Sequence, residues 1–383
     1  MHQYDSNFLK TIRVLFVLVT ANLLHGCSDD AQEKLSPEQK QFKATLLKFS
    51  GQRYALVQKM STELNLTIPP QIHRFFKAAL SGDEKGVAKL CRSFWEEKDG
   101  YRTPDLHNAL WPPIHETIYA YDTWTSWKKD VGLLKLFYEP ILSVMPPGSI
   151  YFGGTTPGRF LITLMNDTGS SNVFCLTQNW LADYTYIDYL RFIYGEHIWI
   201  PPAEDSAKAY QEYVADAQAR GLPEEMGVKI DHERNRVSVT GTRALMNING
   251  IVIRWIFEHN KDKHEFYVAE SYEMDWMYPF LEPCGLIMKL TPTAKITEEV
   301  IAQDMVFWEN HIELLEQQPG FADNPEARTA FAHARAAIAG LYQYHKMYEE
   351  ATTAYRQALR IDPTSVSATT RFSAMQQAIR ATP

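Results

Sequence analysis

Residues 148–166 read GSIYFGGTTPGRFLITLMN, and this stretch decides the fold. A short β-branched and aromatic run, Ile150-Tyr151-Phe152, meets two glycines, then the corner Thr155-Thr156-Pro157-Gly158, then an apolar segment. The pattern predicts strand, glycine turn and helix. Thr156 is the expected N-cap and Pro157 the first helical residue, where proline's missing N–H would be unpaired anyway. The free N–H groups at such a helix start can receive an anion.

On its C-terminal side the alternation continues. Residues 172–177 form the next expected strand and lead through QNWLADYT to a helix over 186–194. A helix to Arg220 follows, then a hairpin of 228–230 with 237–239 around DHERNR, then a helix over 244–259. EFYVAE (265–270) and 286–290 are the third and fourth strands, and 298–317 is a further helix. Strands alternating with helices predict an α/β fold, a mostly parallel sheet with flanking helices on both faces. Upstream, residues 41–95 have helical period, and IHRFFKAAL and VAKLCRSFWEE make a helical hairpin across SGDEKG. A second helical stretch, 114–145, carries an aromatic stripe that reads as core.

The last segment turns alanine-rich. Counting back from Pro363, Ala358, Tyr355, Ala351, Tyr342 and Ala339 fall at the offsets of a tetratricopeptide repeat. Arg335 stands at the usual tryptophan position and Ala339 at the usual glycine. Residues 330–363 thus resemble one repeat, with 365–379 as its capping helix. A single repeat cannot bury its own face and must dock on something else.

The chain has 383 residues, 45% of them hydrophobic and 13% aromatic, which suits several globular units. Its net charge of −8 and the lack of a Lys/Arg block argue against a nucleic-acid partner. At the N-terminus Lys10 and Arg13 precede an apolar run, Val14 to Leu24, that is too short to span a bilayer. It ends in Leu24-His25-Gly26-Cys27, which looks like a bacterial lipobox with His25 in place of the usual small residue, the alternative being a cleaved secretory signal or an uncleaved anchor. Ser28, rather than Asp, resembles an outer-membrane sorting signal. Each buried acyl CH₂ contributes about 0.8 kcal/mol, so several chains on Cys27 would hold the protein firmly. The expected location is the cell envelope, lipid-anchored at the outer membrane and facing the periplasm. Cys91, Cys175 and Cys284 then remain, an odd number that reads as free thiols. The expected order is signal peptide 1–26, tether 27–40, helical region 41–145, α/β domain 146–292, linker helix 293–329 and repeat 330–383.

Catalytic motifs fail one after another. Gly153-x₄-Gly158 has phosphate-loop spacing, but the next residues are Arg159 and Phe160 where Lys and Ser/Thr are required. His115-Glu116 starts like HExxH and ends in Tyr119, so the second zinc ligand is missing. Neither GxGxxG nor GxSxG occurs. No cofactor and no metal are expected. In open α/β sheets ligands sit outside the carboxyl ends of the strands. Those ends carry Thr155, Thr156 and Arg159, then Gln178, Asn179 and Asp183, then Glu270 and Asp275. These eight residues are the candidate ligand site, with Tyr184 and Trp276 able to stack on a sugar face.

The segments PPGSIYFGGTTPGRF, VFCLTQNWLADYTYIDYLR and FYVAESYEMDWMYPFLEPCGLIMKL resemble the soluble tail domain of multi-span, GT-C-like membrane glycosyltransferases. The resemblance covers residues 146–291, and tetratricopeptide repeats often follow in that family. A closer resemblance is to bacterial envelope lipoproteins of this layout. Where the glycosyltransferase family has an acidic corner, this chain has Thr155-Thr156-Pro157, so no metal or sugar contact carries over there. The family's catalytic aspartates lie in its transmembrane part, and no span is expected here after the signal. The expected function is therefore a non-catalytic recognition or scaffolding module for a glycan or an envelope protein, bound through the crevice or the tail. The alternative is an enzyme of surface-glycan metabolism in which carboxylates such as Asp183 and Glu270 serve as acid and base.

Overall fold

The computed structural model describes residues 34–94, 103–231, 236–269, 274 and 276–381. Cys27, Glu270 and Asp275 lie outside the described residues. The chain is a mixed α/β protein in which helices flank one five-stranded sheet.

Ser36 and Gln39 form a capping box that starts α1 (Pro37–Glu63). α2 (Pro70–Ser81) and α3 (Glu84–Arg92) make the expected hairpin. Gly82 takes the left-handed turn at φ 70°, and Asp83 caps the next helix by accepting from the N–H of Gly86. The expected helical stretch over 114–145 consists of two helices, α4 (Trp111–Ser126) and α5 (Val131–Ser143). Lys128 and Lys129 are left-handed at φ 52° and 57°, and Asp130 restarts the helix by accepting from Leu133 N–H.

β1 (Ile150–Gly153) runs into a π-turn over Pro157–Leu161 that continues as α6 (Ile162–Thr168). The cap lies one residue earlier than the sequence implies. Thr156 is already helical and its side chain caps nothing, whereas the Thr155 hydroxyl accepts from Gly158 N–H at 3.3 Å. Next come β2 (Phe174–Thr177), α7 (Tyr184–Tyr194) and α8 (Asp205–Ala219). β3 (Val228–Asp231) and β4 (Arg236–Val239) form a separate two-stranded ribbon. α9 (Thr242–Asn260) leads to β5 (Phe266–Val268), β6 (Leu281–Cys284) and β7 (Ile287–Leu290).

The sheet order is β2-β1-β5-β7-β6. β1 pairs parallel with β2 and β5, but β7 pairs antiparallel with β5 and β6. The sheet is therefore mixed, where a mostly parallel one was expected. The cause is local: Cys284 pairs with Ile287 across a two-residue turn whose Gly285 has φ 66°, and such a tight turn permits only an antiparallel return.

α10 (Glu298–Gln317), α11 (Pro325–Tyr344), α12 (Tyr348–Ile361) and α13 (Val366–Ala381) complete the chain. Phe331 of α11 lies edge-on to Phe137 of α5, and Tyr344 stacks on Tyr278 at 4.9 Å. The tail is thus seated on both the helical region and the sheet. Ala339, Ala351, Ala358, Tyr342 and Tyr355 are all fully buried between the tail helices. Cys91 and Cys175 are buried free thiols and Cys284 is a half-buried one.

Candidate functional site

The carboxyl end of β1 lies where the chain leaves towards β2 on one side and returns to β5 on the other, the topology that opens ligand crevices in α/β sheets. Gly153 is required there by space. A Cβ on it would lie 2.8 Å from the Gly158 carbonyl oxygen and the Arg159 Cα, so no side chain fits between strand and turn. This close approach throws Arg159 into the interior.

Arg159 is 1% exposed. Its Nη2 donates to Glu116 Oε1 of α4 at 3.0 Å and to the Tyr186 hydroxyl of α7 at 3.0 Å. Glu116 also pairs with Arg53 Nε of α1 at 2.6 Å and accepts from the Tyr189 hydroxyl at 3.0 Å. Arg53 reaches on to Asp167 of α6. Two guanidinium groups and two carboxylates thus neutralise one another across four helices and the π-turn. Arg159 Nε and Nη1 have no hydrogen-bond acceptor, but the guanidinium lies 4.8 Å from the Phe160 ring centre and 5.2 Å from those of Trp180 and Tyr186. Aromatic faces stabilise a desolvated cation there.

The electrostatics match a closed network. Burial alone would lower the Arg53 guanidinium, yet Glu116, Tyr189 and Asp167 raise it well above the usual arginine range. Burial, followed by the Glu116 charge, pushes the Tyr189 hydroxyl well up. Burial does the same to Tyr186 and to the Cys175 thiol. None of these groups is held near neutrality, where general acid–base catalysis operates.

The other candidates are divided. Thr155 and Thr156 are half-buried at the turn. Gln178 is fully buried, and Asn179 is half-buried with an Oδ1 that has no donor. Asp183 is the N-cap of α7, accepting from Thr185 N–H at 2.9 Å and Thr185 Oγ1 at 2.8 Å. Asn249 of α9 pins this loop by accepting from Ala182 N–H at 2.7 Å. Thr155 and Asp183 are therefore cap groups, Thr156 and Asn179 make no cap bond, and Arg159 is buried. Sequence reasoning missed Arg53, Glu116 and Asp167. Its single signal was His115-Glu116, set aside as an incomplete zinc motif. His115 instead stacks on Trp180 at 4.1 Å.

A different surface opens on the tail. α10 buries Asp304, Trp308, His311 and Leu315, one helical stripe, against its neighbours. Arg335, wholly buried on α11, donates to Asp304 Oδ2 at 2.7 Å and to Gln357 Oε1 of α12 at 2.8 Å, which locks the three helices together. Beside this lock lies an open groove of about 540 Å³ between α10 and α12. Ile301, Met305 and Val306 supply its apolar side, and Glu309, Glu349 and Glu350 its acidic side. Val306 is 61% exposed.

Among the described residues no group of three or more His, Cys, Asp or Glu side chains is placed to hold a metal ion. Among them, too, no helix is long and apolar enough to cross a membrane. Comparison with known proteins gives no match: no family model fits the chain, and no curated protein or solved structure is similar to it.

Proposed function

We propose that the chain is a lipid-anchored protein of the bacterial cell envelope, held at the outer membrane through Cys27, that acts without catalysis as a scaffold. It recognises a protein partner through its helical tail. One observation carries the reading. Arg159, the strand-end cation, is spent on Glu116 inside the fold, while the tail presents an open groove whose carboxylates Glu349 and Glu350 have no ion pair among the described residues. The buried alanines and tyrosines between α11 and α12 support residues 330–363 as one tetratricopeptide-like repeat, with α13 as its cap. The resemblance to glycosyltransferase tail domains supports the same role, since those domains carry no catalytic aspartates.

Two measurements test the reading. Labelling cells with a fatty-acid probe should mark the wild type and leave Cys27→Ala unlabelled and unprocessed; label on the mutant removes the anchor. A glycan array read with the full chain addresses the enzyme alternative. Turnover of any bound glycan would replace scaffold with enzyme.

A further inference from the structure

We infer that the groove between α10 and α12 receives a basic amphipathic helix of a partner protein, an inference that rests on the scaffold reading above and names the partner's chemistry. The groove is open to solvent along the line between two helices, which suits a row of side chains from one face of a third helix. Its apolar side is made by Ile301, Met305 and Val306. Val306 is the most exposed of these, at 61%. An apolar row on a surface helix is matched by the apolar face of a second helix.

The charge specifies the other face. Glu309, Glu349 and Glu350 border the groove, and no lysine or arginine lines it. Arg360 of α12 is engaged by Glu309 at 2.7 Å and Glu316 at 2.7 Å, and the exposed Arg356 of the same helix does not line the groove, so Glu349 and Glu350 are the groove carboxylates without an ion pair among the described residues. A helix with lysine or arginine beside its leucine or isoleucine row satisfies both features, whereas an acidic helix is repelled. The floor is rigid, because the buried Arg335–Asp304 pair and Gln357 fix α10 against α12. Little ordering is then required when the partner docks.

The probe is a synthetic helix with leucine on one face and lysine on the other, added to the full chain and followed by fluorescence anisotropy. Its glutamate counterpart and a scrambled peptide are the controls. The lysine helix should bind, weaken at high salt, and lose roughly tenfold or more in affinity with Val306→Lys and with Glu349→Gln/Glu350→Gln. Val306 is exposed enough to change without unfolding the helix, and an unchanged melting temperature verifies that. The inference is overturned if the lysine helix does not bind, binds both variants as well as the wild type, or binds no better than the glutamate helix. A dimer of the chain that Val306→Lys dissociates also overturns it, since a second copy then fills the groove. The scaffold reading falls separately, if no envelope protein co-purifies with the wild type. It survives, with the groove inference lost, if a partner is retained equally by Val306→Lys.

Discussion

Glu116 is the residue on which the interior turns. It is 2% exposed and faces Arg53, Arg159 and the Tyr189 hydroxyl at once. Removing one member of a buried ion network leaves its partners desolvated and unpaired, which costs about 3–5 kcal/mol. Glu116→Gln should therefore lower the urea-unfolding free energy by that amount; a loss below about 1 kcal/mol would mean the arginines are neutralised elsewhere. The glycine turn was legible in the sequence, because the close approach at Gly153 has a residue-level cause. The fate of Arg159 was not. Its counter-ion lies 43 positions away on another helix, and local pattern says nothing about which distant carboxylate a cation will meet.

Among the elements, strand and helix periods carried most of the architecture, and the exceptions have specific causes. β6 contains Pro283, and a proline argues against a strand unless that strand lies at an edge, which is where β6 lies. The break between α4 and α5 has no glycine or proline to announce it, since two lysines take the left-handed turn. The tail yields two predictions. Ala351 is fully buried, so Ala351→Trp should overpack its helix contacts by roughly 1–3 kcal/mol. Limited proteolysis would then release the segment from about residue 320 onward while the sheet survives; a mutant as resistant as the parent contradicts the small-residue packing. Asp122 of α4 is pushed up to about 6, first by burial and then by the charge of Glu326 on α11. Below the usual carboxylate range it is protonated whether folded or unfolded and costs nothing. As pH rises from the usual carboxylate range to about 6 the unfolded chain ionises it while the folded chain does not, so stability falls across that window by roughly 2–3 kcal/mol and levels off above it. Asp122→Asn should accordingly raise the melting temperature at neutral pH and leave it unchanged at the acid end; equal shifts at both ends would exclude a titrating Asp122.

For the whole molecule, the proposed anchor at Cys27 and the tail groove sit at opposite ends of the sequence, with the α/β body between them. That division was half visible in the sequence. The expected lipobox and the alanine pattern of the tail are local signals, whereas the burial of Arg159 depends on helices meeting around Glu116. The account places recognition on the tail rather than on the strand ends, and partner retention separates the two most directly. The lipidated wild type, Val306→Lys and Asn179→Ala are each captured from detergent-solubilised envelope, and the co-purifying proteins are compared. The account predicts that Asn179→Ala keeps the wild-type partner and Val306→Lys loses it. A partner lost by Asn179→Ala and kept by Val306→Lys would contradict it and return recognition to the strand ends.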